Sequence, residues 1–185
     1  MACFASATSP PPSGQSPSTS QTQADSSLAA GAEAFQAGNL TDALVHFQAS
    51  VDASPSSAAY YNIGVCHYQL QQFPEAATAW DHSLELDPHR ADVHLNLASV
   101  AFMHLKDTPR ALEHLAAASR MDPQDGEIFY NYGCILESTG QLAQAIEKYQ
   151  QAVDLGIERA KVNLRNAMAR AMQQKAADSN KQQSE

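Results

Sequence analysis

At 185 residues the chain has room for one domain or one short array, and its composition, 44% hydrophobic and 17% charged with 8 Gly and 9 Pro, excludes a wholly disordered or collagen-like polymer. The net charge of −9 is unevenly placed: residues 1–89 hold eight acids and no Lys or Arg, whereas 159–185 hold six bases (Arg159, Lys161, Arg165, Arg170, Lys175, Lys181) against Asp178 and Glu185. Such an acidic first half gives no footprint for a nucleic-acid backbone, no stretch reaches the ~18 consecutive apolar residues of a membrane span, and the first 25 residues lack the charged and apolar regions of a signal peptide. The expectations are therefore no nucleic acid, no membrane, and a cytoplasmic location with the nucleus left open.

Taken in chain order, residues 1–23 are rich in Ser, Thr, Pro and Gln and have almost no large apolar side chain, which predicts a disordered tail. From Ala24 the character changes. Gly31, Gly64, Ala98 and Gly133 recur at intervals of 33, 34 and 35 residues, and each is followed 12 or 13 residues later by Ala43, Ala76, Ala111 or Ala145. Four residues after each of those alanines stands a bulky apolar residue: Phe47, Trp80, Leu115 and Tyr149. Pro55, Pro88 and Pro123 close the first three units. A period of about 34 with two small columns predicts helix pairs that cross closely, each unit being two apolar-periodic stretches joined by a short polar turn.

The turns read AGNL, QQF, KDTP and TGQL. Gly38 and Gly140 suit helix C-caps, Thr41 and Thr108 suit N-caps, and Pro74 and Pro109 suit the first turn of a second helix. Unit three carries one extra residue in its turn, and Ile157 stands where the fourth unit would have Pro, which predicts a looser last boundary. Beyond it, Val162, Leu164, Ala167, Met168, Ala171 and Met172 mark an amphipathic helix over 160–177, and 178–185 reads as a second disordered tail. Cys3, Cys66 and Cys134 form no CxxC pair and no zinc spacing, so a reducing compartment is expected, with Cys66 and Cys134 acting as small hydrophobes inside helices.

The segment AYYNIGVCHYQLQQFPEAATAWDHSLELDP, with Gly64, Ala76, Trp80 and Pro88, resembles the tetratricopeptide repeat, and the resemblance runs from Ala24 to about Arg159. It implies an all-α, right-handed α-solenoid of four units, about 24–56, 57–90, 91–125 and 126–159, capped by the helix at 160–177. It also implies that the first helix of each unit lines a concave groove that holds extended peptides. On that face would lie Phe35, Tyr61, Tyr68, Leu95, Phe102 and Tyr130, with packing against a neighbouring unit as the alternative for each.

Asn62, Asn96 and Asn131 occupy one column of three successive units, in helix interiors where Asn has poor propensity. This resembles the asparagine ladder of superhelical members such as the O-linked N-acetylglucosamine transferases, whose side-chain amides bind a peptide backbone. The alternative is a hydrogen bond within the helix pair. A second subclass, the carboxylate-clamp co-chaperones, fits poorly from the first unit, where Leu28, Ala32, Asp92 and Asn96 replace its Lys, Asn, Lys and Arg and only Asn62 matches. Two units later Asn131, Lys161 and Arg165 match while Leu95 and Ser99 do not, which makes Lys161 and Arg165 candidate carboxylate contacts.

No catalytic constellation is visible. Seven histidines fall in different columns without an i, i+4 metal pairing, and there is no phosphate loop and no GxSxG elbow. The expectation is a non-enzymatic, monomeric adaptor without cofactor or metal, binding a protein or peptide partner. Capture of a C-terminal carboxylate and service as a structural subunit remain as rivals. Asp92, Glu127 and Glu137 beside the groove aromatics predict an apolar or mildly basic ligand, except near Lys161 and Arg165.

Overall fold

A computed structural model of the chain describes residues 18–182, and these are helices and short turns without a strand. Four helix pairs follow one another: α1 (Thr19–Gln36) with α2 (Leu40–Ala53), α3 (Ser57–Gln69) with α4 (Phe73–Leu86), α5 (Ala91–Met103) with α6 (Thr108–Met121), and α7 (Gly126–Ser138) with α8 (Leu142–Asp154). A longer helix, α9 (Ala160–Gln182), packs on α8. The second helix of each pair also packs on the first helix of the next, so the structure is a solenoid held by nearest-neighbour contacts.

The two columns meet at the crossing inside each unit. A Cβ added to Gly31 would stand 2.5 Å from the Phe47 ring, one on Gly133 would stand 2.6 Å from Tyr149, and one on Gly64 would run into Trp80. Unit three has a leucine, Leu115, in the bulky column, and there the small column holds Ala98; both are buried. Glycine opposite an aromatic ring and alanine opposite a leucine fill the same gap in different proportions, as close packing requires.

The turn after each first helix contains one residue in the left-handed region: Gly38 at φ 80°, Gln71 at 60°, Lys106 at 59° and Gly140 at 78°. The column is the same in all four units, but only two of them use glycine. A side chain at such φ costs roughly 1–2 kcal/mol. Gln71→Gly is therefore expected to raise the unfolding free energy by about 0.5–1 kcal/mol after the extra chain entropy of glycine is deducted, read by urea denaturation.

Several details differ from the sequence reading. The N-caps are Asn39 and Asp107, not Thr41 and Thr108, and the Asp107 carboxylate accepts from the Arg110 amide at 3.1 Å. Helix α1 starts at Thr19, inside the segment expected to be disordered: Ser18 caps the Gln21 amide, Ala24 is buried, and the Ser50 hydroxyl donates to the Ala24 carbonyl at 2.8 Å. Likewise α9 continues to Gln182, past the expected end at 177. Residues 1–17 and 183–185 of the two expected tails lie outside the described residues. The fourth boundary is closed, not loose. Gly156 at φ 91° lets the Ile157 amide donate to the Ala152 carbonyl at 2.9 Å, and the Ile157 side chain packs on Gly126, where a Cβ would come within 2.6 Å of it.

Candidate functional site

The first helices α3, α5 and α7 carry the expected columns, and between α5 and α7 they leave an open pocket of about 220 Å³. Helix α5 supplies Leu95, Ser99, Phe102 and Met103, an i, i+4, i+7, i+8 stripe; α7 supplies Asn131, Cys134 and Ile135; Ala98 and Leu115 form the floor. The volume lies below the ~300 Å³ of the smallest drug-sized sites, and the lining is mostly aliphatic, which suits an inserted side chain. Of the candidate residues, Leu95, Phe102 and Asn131 come together here.

Asn62, Asn96 and Asn131 are each half-buried, and among the described residues none of their side-chain amides makes a hydrogen bond. The bond within the helix pair that would have explained them structurally is absent. Each amide can donate twice and accept, the complement of a peptide unit.

The tyrosines are placed differently from one another. Arg90, just before α5, lays its guanidinium 4.4 Å from the Tyr61 ring centre, and Arg159, just before α9, lies 4.3 Å from that of Tyr130. Each arginine stands 29 residues after its tyrosine, so the same cation–aromatic pair recurs two units apart. Tyr68 joins an aromatic cluster, edge-on to Phe73 and His104, which stack on each other at 3.5 Å. Phe35 packs against the core of the first unit.

Those arginines also change the electrostatics expected of the groove. Arg90 forms two bonds to Asp92, of 3.1 and 2.5 Å, and this pairing raises its already high pKa. Arg159 pairs with Glu127, while Glu137 accepts from Arg170 at 2.7 Å and from the Tyr149 hydroxyl at 2.8 Å. All three acids that predicted a basic ligand are thus neutralised within the chain, and that preference loses its basis. Burial drives the Tyr149 phenol far above its ordinary value, so it remains a donor to Glu137 and also accepts from Asn163 of α9 at 3.3 Å. This network fastens α9 to α7 and α8.

The clamp positions do not line one pocket. Leu95, Ser99 and Asn131 line the pocket between α5 and α7, whereas Lys161 and Arg165 line a separate, mostly apolar surface on α9 with Leu164, Met168 and Met172. Lys161 is held by Glu158 at 2.7 Å, and among the described residues Arg165 has no ion pair.

Sequence spacing gave no hint of one contact: His94 of α5 and His114 of α6, 20 residues apart, face each other through their Nδ1 atoms at 2.9 Å. One ring must donate and the other accept. Burial, then the neighbouring His94, lowers His114 to about 4, and burial lowers His94 too. Burial pushes the Cys66 thiol up to about 11, in keeping with a packing role. No group of three or more His, Cys, Asp or Glu side chains arranged to hold a metal occurs among the described residues, and no described helix is long and apolar enough to cross a membrane.

The family model for the tetratricopeptide repeat matches residues 28–82, 67–118 and 101–160, which together cover most of the chain. The chain belongs to the tetratricopeptide repeat family. Among curated relatives, BBSome complex member BBS4 of Bos taurus is 28% identical over 91 residues, 49% of this chain and 17% of that protein. The chain thus corresponds to under a fifth of that relative's length. Among solved structures, MamA 41-end from Desulfovibrio magneticus RS-1 superposes with a TM-score of 0.73 at 22% identity, covering 87% of this chain and 92% of that one. YrrB, described as a TPR protein with an unusual peptide-binding site, gives 0.71 at 19% identity over 79% and 76%. At these identities the likeness is one of fold.

Proposed function

We propose that this tetratricopeptide protein is a non-enzymatic adaptor that binds an extended segment of another protein along α3, α5 and α7. The ligand's backbone rests on Asn62, Asn96 and Asn131, and an aliphatic side chain enters the pocket between Leu95, Phe102 and Asn131. Tyr61 and Tyr130, each stacked on an arginine, and Tyr68 border the path. The observation that carries this reading is the column of three half-buried amides with no hydrogen-bond partner among the described residues. Family membership supports protein binding in general, and YrrB is a protein of the same fold with a peptide-binding site. Since Asn side chains grip any backbone, the pocket supplies what sequence preference there is.

The test is a peptide selected on the full chain from a random display library, followed by calorimetry. Asn96→Ala with Asn131→Ala is expected to weaken that peptide at least about tenfold, each lost bond contributing ~1 kcal/mol, while the melting temperature holds. Unchanged affinity with a lowered melting temperature would return the asparagines to packing. A second reading, capture of a terminal carboxylate, is favoured by Arg165, which has no ion pair among the described residues. Amidating the peptide's C-terminus separates the two: a loss that Lys161→Ala abolishes supports capture.

A further inference from the structure

Helix α9 buries Ala160 and Ala167, and its other side stays in solvent with Val162 52%, Met168 45% and Met172 71% exposed. The amphipathic pattern alone assigns Val162, Met168 and Met172 to the packed face. Within α9 five bases stand against one acid, Asp178. Arg165, Met168, Met172 and Lys175 fall at i, i+3, i+7 and i+10, a stripe of about 15 Å with a cation at each end. Neither Arg165 nor Lys175 has an ion pair among the described residues.

The first unit is its electrostatic opposite. Helices α1 and α2 hold Asp25, Glu33, Asp42 and Asp52 and no Lys or Arg, and all four carboxylates are exposed and without an ion pair among the described residues. On α2, Asp42, Val45, Ala49 and Asp52 also fall at i, i+3, i+7 and i+10. Val45 is 64% exposed, an uncovered aliphatic residue between two acids. The acidic stripe complements the basic one position for position, equal in spacing, opposite in sign and apolar in the middle.

We propose that the chain self-associates end to end, the α9 stripe Arg165–Met168–Met172–Lys175 of one copy seated on the α2 stripe Asp42–Val45–Ala49–Asp52 of a second copy. Pairing α9 with α9 would set cations against cations, so the contact is between unlike surfaces. A basic amphipathic helix also suits an anionic lipid surface; the matched acids on α2 favour the second copy. This assembly replaces the monomer expected from the sequence, and it leaves the pocket between α5 and α7 out of the contact.

Sedimentation velocity of the full chain tests it, with two charge reversals, Arg165→Glu/Lys175→Glu and Asp42→Lys/Asp52→Lys. All four side chains are exposed, and unchanged circular-dichroism melts verify that both variants fold. The wild type is expected to gain mass with concentration at low salt and to lose that gain at about 0.5 M salt, where charges are screened within a few Å. Each variant alone should associate at least about tenfold more weakly, and an equimolar mixture should recover association because every contact again joins opposite charges. A wild type that stays monomeric throughout, or variants whose mixture fails to associate, overturns the proposal. So does a monomeric wild type that binds phosphatidylserine vesicles through α9, which would assign the basic face to lipid.

Discussion

Gly64→Leu is expected to lower the unfolding free energy by about 3 kcal/mol or more, because its side chain has to displace the Trp80 indole from a crossing that has no spare volume. Trp80 is nearly fully buried, and its Nε1 donates to the Tyr61 carbonyl at 3.1 Å, so the ring cannot turn aside without losing that partly buried bond. The third unit supplies a control. There Ala98 faces Leu115, and Gly64→Ala combined with Trp80→Leu would copy that pair into the second unit. Gly64→Ala alone forces a clash and Trp80→Leu alone opens a cavity, so the double variant should cost less than the two singles together. Urea unfolding of the four proteins reads the coupling directly; additive losses would show that the two positions do not share one volume.

Ala167→Glu is expected to detach α9 and lower the melting temperature by well over about 5 °C. Ala167 is fully buried against the cluster of Leu136, Ala145 and Tyr149, where a larger, charged side chain has no room and loses its hydration. Losing the helix also strips Tyr149 of Asn163 and Glu137 of Arg170, and it returns the apolar end of the fourth unit to water. Circular dichroism should show helix content falling together with the melting temperature. A melt identical to the wild type's would mean that α9 contributes nothing to the array.

The repeat was legible because steric demand at a close crossing writes itself into residue size: a glycine or alanine opposite a ring or leucine, at constant spacing, survives every change of surface residue. The pocket was half legible. Leu95, Phe102 and Asn131 share known columns, but which columns converge depends on how α5 leans on α7. What escaped were contacts set by geometry between elements. Arg90 and Arg159 read as ordinary charges until their tyrosines were seen beneath them, although the shared offset of 29 residues was there to find. The histidine pair left no trace in spacing. In α9 the apolar pattern sets Val162, Met168 and Met172 on one face with Ala167, whereas packing buries the alanine and leaves the larger three exposed, because a helix that caps a closely spaced array must approach with small side chains. The start of α1 has almost no large apolar side chain, so composition points to a tail; here Ser18 and Ser50 supply the hydrogen bonds that composition does not reveal.

Protection of one thiol tests the binding site most directly. Cys134 lines the pocket beside Asn131, whereas Cys66 is buried with its pKa raised to about 11, so in a Cys3→Ser background alkylation reports on Cys134. At about nine times its Kd the library-selected peptide is expected to slow Cys134 alkylation about tenfold, and Asn96→Ala/Asn131→Ala should return the rate to at least about half of the unliganded one at the same peptide concentration. A peptide that binds the chain tightly while Cys134 reacts at its unliganded rate would contradict the account, since the ligand would then lie elsewhere than between α5 and α7.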